Sequence, residues 1–221
     1  MQTHFEKELA ELKEKLLVMA SHAESAVRQS IEALMTRNDE LALRVKDNDD
    51  IIDAYELEVD EMAIQLLAKA PLASNLRLIT VAMKICQNLE RVGDEASKIA
   101  KRARELIQDA PLKQVEQLPP MANRALALLK MTLDAFVRQD ADAARAIIPQ
   151  DKEIDAMNRS IYQELAAQMV SKPETITRAL NLIVVAKSLE RIADHAKNIA
   201  EETVYLAEAQ DIRHTNRTAV A

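Results

Sequence analysis

Apolar positions recur along the chain at helical spacing. Leu9, Leu16, Ala23 and Ser30 form one seven-residue series, and Leu12, Met19, Ala26 and Ala33 form a second. Together they make the stripe of a long helix packed against near-parallel neighbours. The polar group Thr36-Arg37-Asn38-Asp39 breaks the pattern, with Asn38 or Asp39 placed to cap the next helix. That second helix is predicted to run to about Ala70, where Pro71 interrupts it, and a third from Ser74 to about Gln108. Pro111 and the Pro119-Pro120 pair mark the main connection. Beyond it the spacing predicts helices over 121–138, 141–170 and 174–207, with Pro149 kinking the middle one.

The two series of helices repeat each other. Asp49-Asp50-Ile51-Ile52-Asp53-Ala54 aligns with Asp151-Lys152-Glu153-Ile154-Asp155-Ala156 at an offset of 151 − 49 = 102. Leu89-Glu90-Arg91-Val92-Gly93-Asp94 aligns with Leu189-Glu190-Arg191-Ile192-Ala193-Asp194 at 189 − 89 = 100, and Ile99-Ala100 matches Ile199-Ala200. The predicted fold is therefore all-α, two tandem antiparallel three-helix bundles produced by internal duplication. The first bundle is expected over 1–110, the second over 111–208, and a polar, loose C-terminal tail over 209–221.

Composition removes whole classes of function. Gly93 is the sole glycine, so the chain has no phosphate-cradling loop of the Walker or dinucleotide type. Lys and Arg number 29 against 36 Asp and Glu, a net charge of −7, which argues against nucleic acid as a partner. The lone Cys86 excludes an internal disulfide and a multi-thiolate zinc site. No apolar run approaches the roughly 20 residues of a bilayer span, and the N-terminal segment does not read as a signal peptide. A soluble, cytoplasmic protein is expected.

The candidate chemistry lies in four acidic pairs at i, i+4: Asp49/Asp53, Glu90/Asp94, Asp151/Asp155 and Glu190/Asp194. That spacing sets two carboxylates on one helix face and, left bare, destabilises each helix by about 0.2–0.5 kcal/mol. The mean of 49 and 94 equals that of 53 and 90, at 71.5; the mean of 151 and 194 equals that of 155 and 190, at 172.5. Both midpoints fall beside a proline, so a hairpin there brings each half's four carboxylates level. Four such groups require raised pKa values or a cation between them. Bridging carboxylates suit Fe, Mn, Mg, Ca or Zn. The competing reading is an inter-helix salt-bridge belt using Arg91, Arg191, Lys98 and Lys101; alternatively Arg91 and Arg191 orient or partly neutralise metal ligands.

The repeated Leu-Glu-Arg-x-x-Asp segments at 89–94 and 189–194, each preceded by an Asp-rich motif at matched spacing, resemble the paired acidic motifs of the PhoU family. These are the phosphate-specific transport system accessory proteins. The resemblance spans about Phe5 to Ala209. It implies multinuclear iron or zinc clusters, with manganese or magnesium as further candidates, held by Asp49, Asp53, Glu90, Asp94, Asp151, Asp155, Glu190 and Asp194. It also implies a non-enzymatic, negative regulator of the phosphate regulon that works with the phosphate ABC transporter and its sensor histidine kinase. Such a protein is expected to be a homodimer and peripheral to the inner membrane through those partners. Ala193 departs from the glycine usual at that motif position.

Other residues carry less. His195 is predicted to face the surface or a partner, because it points about 100° away from Asp194 on an ideal helix. His4, His22 and His214 read as ordinary, and Asp211 with His214 falls in the weakly structured tail. Cys86 is expected in the core, and Lys98, Lys101, Arg102 and Arg104 on a solvated face. The alternative class is a carboxylate-bridged di-metal enzyme or iron-storage bundle; those sites combine Glu ligands with Glu-x-x-His motifs, which this chain lacks. A third class is a metal-free structural interaction protein.

Overall fold

A computed structural model describes residues 4–70 and 72–213. Pro71 and His214 lie outside the described residues. The first half comprises α1 (His4–Thr36), α2 (Asp39–Asp47), α3 (Asp49–Leu67) and α4 (Ala73–Leu106). The second comprises α5 (Leu118–Arg138), α6 (Ala141–Ile147), α7 (Asp151–Ser171) and α8 (Ile176–Glu208). Each half is a three-column antiparallel bundle in which α2–α3 or α6–α7 forms the middle column. No strand occurs among the described residues, and no helix there is long and apolar enough to cross a membrane.

Both predicted middle helices are broken. In the first half the break falls at Asn48, and α3 starts at Asp49. In the second, Pro149 sits in a 3₁₀ turn over Ile148–Gln150, and α7 starts at Asp151. Proline at 149 cannot supply an amide donor to a continuous helix, which accounts for the second break. The first has no proline, so periodicity alone conceals it. Pro119 and Pro120 also act differently from a linker: they occupy the first turn of α5, where a missing amide costs nothing.

The turn before each broken column is built twice from the same parts. Arg37 and Gln139 adopt left-handed backbone with φ of 55° and 53°, and their numbers differ by 139 − 37 = 102. The next amide reaches back five residues, Asn38 N to Ala33 O at 2.9 Å and Asp140 N to Ala135 O at 3.0 Å. Asn38 and Asp140 then cap α2 and α6 through their side-chain oxygens, accepting from Leu41 N and Ala143 N.

The predicted α1 stripe is buried except at half-buried Ala26, and Cys86 lies in the core beside Met19. Burial pushes the Cys86 thiol up to about 12, so it is an inert core group. One apolar cluster runs through both halves. The halves meet along α4 and α8, which run antiparallel: Lys84 pairs with Glu202, Asn88 with Asn198, and Glu95 with Arg191. His195, expected to face the surface or a partner, is half-buried in this seam, its Nδ1 3.0 Å from Asn88 Oδ1. Burial drives its pKa down. His22 stacks on Tyr55. The start of the expected loose tail is also anchored: Arg213 binds Glu202 at 2.8 Å and Asp211 at 2.5 Å.

Candidate metal centre

In the first half, α3 and α4 bring Asp49 and Asp94 into one groove, as the hairpin register requires. Asp49 and Asp94 line a cavity of about 400 Å³ with Ser97, Lys46, Lys98 and Lys101. Burial raises the pKa of Asp49; the Ser97 hydroxyl opposes the rise, and Asp53 and Asp94 add to it. Ser97 Oγ is buried beside Asp49 but outside hydrogen-bond geometry. Burial also raises Glu90, followed by Asp94, with Arg91 opposing and Glu56 and Asp53 reinforcing. These four carboxylates therefore act on one another as a group.

Close approach of the two helices depends on Gly93. A Cβ there would lie 2.7 Å from Ile52 Cδ1 and 3.2 Å from Asp49 Oδ1. Glycine thus gives Asp49 its place against the α4 backbone. Ala193 is buried at the equivalent position of α8.

In the second half, Asp155 and Glu190 line a groove of about 540 Å³ with Asn158, Arg159 and Lys187. Burial raises Asp194, with Glu190 and Asp155 adding to it against Lys197 and Lys187. Asp151, however, already has a cationic partner of its own. It is 5% exposed, and its Oδ2 accepts from Lys197 Nζ at 2.6 Å. Lys187 Nζ lies 2.5 Å from Glu190 Oε2.

The belt and ligand-orienting readings both find part of their support. Arg91 reaches Glu90 at 3.2 Å and Asp94 at 3.3 Å, and Lys98 stands 3.9 Å from Asp94. Arg191 does not serve its own half's acids; it crosses the seam to buried Glu95, 3.2 Å away. Lys98 shares that carboxylate at 2.9 Å. Glu95 is held below its ordinary value by Ser188, Lys98 and Arg191 in spite of its burial. The basic group on α4 is likewise engaged in part, with Arg102 on Glu105 and Arg104 on Asp39.

Among the described residues, no three His, Cys, Asp or Glu side chains converge tightly enough to hold an ion as they are placed. The first quartet nevertheless fits a hard or borderline cation in its donor chemistry: oxygen ligands on two helices, mutual repulsion and a glycine-cleared approach. The acidic pairs in the sequence do not single out Glu56. It lies seven residues after Asp49 on α3, raised by burial and then by Asp60 and Asp53. Its spacing from Asp49 is the signal that points to it.

Comparison with known proteins agrees with the duplication. The family model described as PhoU domain matches residues 16–103 and again 118–203. The chain is 39% identical over 217 residues to the phosphate-specific transport system accessory protein PhoU homolog of Pseudomonas aeruginosa, covering 97% of this chain and 89% of that protein. It is 33% identical to the corresponding PhoU protein of Escherichia coli K12, covering 95% and 88%. The crystal structure of PhoU from Pseudomonas aeruginosa superposes with a TM-score of 0.90 at 37% identity, covering 94% of this chain and all of that one (100%). That of the phosphate transport system regulatory protein PhoU from Streptococcus pneumoniae gives 0.89 at 29% identity, covering 95% and 99%. With two matched domains spanning most of its length and the same helical architecture, the chain belongs to the PhoU family.

Proposed function

We propose that this protein is a regulatory adaptor of phosphate homeostasis, acting as a negative regulator of the phosphate regulon with the phosphate ABC importer and its sensor histidine kinase. The observation that carries this reading is family membership along nearly the whole chain, with relatives named as accessory or regulatory proteins of phosphate transport. It works by binding and not by turnover. The histidines give no Glu-x-x-His ligand set, and His195 is engaged by Asn88 in the seam.

In this reading Asp49, Asp53, Glu90 and Asp94 hold metal in the first half, with Glu56 beside them, and iron or zinc are the leading candidates. A bound divalent ion supplies positive charge between α3 and α4. The chain's own residues hold the two helices in register, keep Asp49 against Gly93, and place Arg91 over Glu90 and Asp94. The protein is taken to be a cytoplasmic homodimer that reaches the inner membrane through the importer. Sedimentation showing only monomer would remove the dimer from this reading.

Deletion of the protein should derepress phosphate-starvation genes in phosphate-rich medium, and the full chain should restore repression. Normal repression in the deletion strain would overturn the regulatory role. Elemental analysis of untagged protein tests the metal separately: Glu90→Ala with Asp94→Ala should lower the bound metal, and an unchanged content would refute the site.

A further inference from the structure

The duplication carried the carboxylates into both halves but not the groups that face them. The offset of 100 that relates Asp94 to Asp194 and Ile99 to Ile199 relates Ser97 to Lys197 and Gln87 to Lys187. Lys197 Nζ sits 2.6 Å from Asp151 Oδ2, with the Asp151 side chain 7% exposed. Its charge is also felt by Glu201 and Asp194. Lys187 takes Glu190 at 2.5 Å. Two of the second quartet's four carboxylates therefore already hold ammonium groups fixed to α8.

The first half lacks these groups. Ser97 presents a hydroxyl to Asp49, and among the described residues no ion pair is formed by Asp49 or Asp53. Arg91 and Lys98 attach to Glu90 and Asp94 from exposed positions, and Lys46, Lys101 and Arg104 line the same groove without pairing with Asp49 or Asp53. Glu56 adds a fifth carboxylate where the second half has neutral Asn158, 158 − 56 = 102 residues on.

We propose that Lys197 is the resident cation of the second quartet, so that the two sites are inequivalent: the first recruits a divalent ion, and the second is closed to it by a tethered ammonium. The inference rests on the metal reading of the proposed function and assigns it to one half. A divalent ion entering the second site must displace Lys197 from a buried carboxylate or sit beside its charge, and both oppose binding. In the first half nothing has to be displaced from Asp49.

Titration of the metal-free full chain with Zn²⁺, read by equilibrium dialysis and elemental analysis, tests this. Asp155→Asn with Asp194→Asn should leave Zn²⁺ uptake at the level of the unaltered protein, because the Lys197–Asp151 pair stays intact. Ser97→Lys should weaken Zn²⁺ binding by about tenfold or more, and Lys197→Ser should raise uptake by about twofold. Circular dichroism establishes that each variant is folded. If Asp155→Asn with Asp194→Asn halves the uptake, or folded Lys197→Ser leaves it unaltered, the inequivalence is wrong while metal binding stands. If neither the parent nor any variant takes up Zn²⁺, the metal reading fails and this inference with it.

Discussion

Lys84 on α4 and Glu202 on α8, separated by 118 residues, meet at 3.0 Å across the seam between the halves. Arg213 reaches the same carboxylate, so one buried acid ties together the first half, the second half and the start of the C-terminal segment. Glu202→Ala should cost about 1.5–3 kcal/mol, the range for hydrogen bonds to a charged group, whereas Lys84→Ala should cost less because Arg213 remains. Urea unfolding of the two variants measures the difference; equal losses would show that Arg213 contributes nothing.

The left-handed turn residues give a second expectation. Gln139 holds φ of 53° at the α5 terminus, where its backbone N–H closes the helix, so Gln139→Gly should stabilise the protein by about 1 kcal/mol. Arg37→Gly should not, although its φ is 55°, because Arg37 donates to the carbonyls of Ile107 and Asp109. Thermal melts of both variants distinguish backbone relief from a lost anchor.

Gly93→Ala tests the close approach of α3 to α4. The added methyl meets the tip of Ile52, a movable atom, and alanine favours the helix by about 1 kcal/mol over glycine. Stability should therefore change by less than about 1 kcal/mol, but Asp49 must shift from its 3.2 Å approach. Zn²⁺ affinity should fall while the melting temperature holds. A large loss of stability would mean that Ile52 cannot move.

Acid should act on the metal-free protein in an unusual direction. Asp49, Glu90 and Asp194 have pKa values raised in the fold, by burial first. In the window between their ordinary values, 3.8 and 4.5, and their higher folded values, the native state binds more protons than the unfolded one. Their penalty is thus fully present at neutral pH and is relieved as pH falls through that window. Below it, the depressed Glu95 loses its own stabilising contribution. Melting temperature should rise on mild acidification and then fall. Asp49→Asn with Glu90→Gln should flatten the rise, and saturating Zn²⁺ should reverse it.

The hairpin register is legible in the sequence because it depends only on residue counts and the positions of two prolines. Asp49 does stand by Asp94, and Asp155 by Glu190. The break at Asn48 is not legible, since neither proline nor glycine marks it, and the hydrophobic stripe continues through Val45 and Ile52. Nor is the seam. Asp94 and Glu95 are adjacent acids of similar chemistry, and only the packing of α8 against α4 tells which one faces Arg191. Lys197 stands out only where the halves differ, and the repeat is recognised by what they share.

The adjacency of Asp94 and Glu95 has a mechanical consequence. Asp94 looks into the groove with α3, while Glu95, the next residue and about 100° around the helix, is gripped from the opposite half by Arg191. On α8, Asp194 and His195 repeat the arrangement, with His195 held by Asn88. Each central helix is thus an axle with a crank on either side. A roll of α4 that drew Asp94 toward Asp49 would therefore also move Glu95 against Arg191, so the two contacts cannot be adjusted independently on a rigid helix.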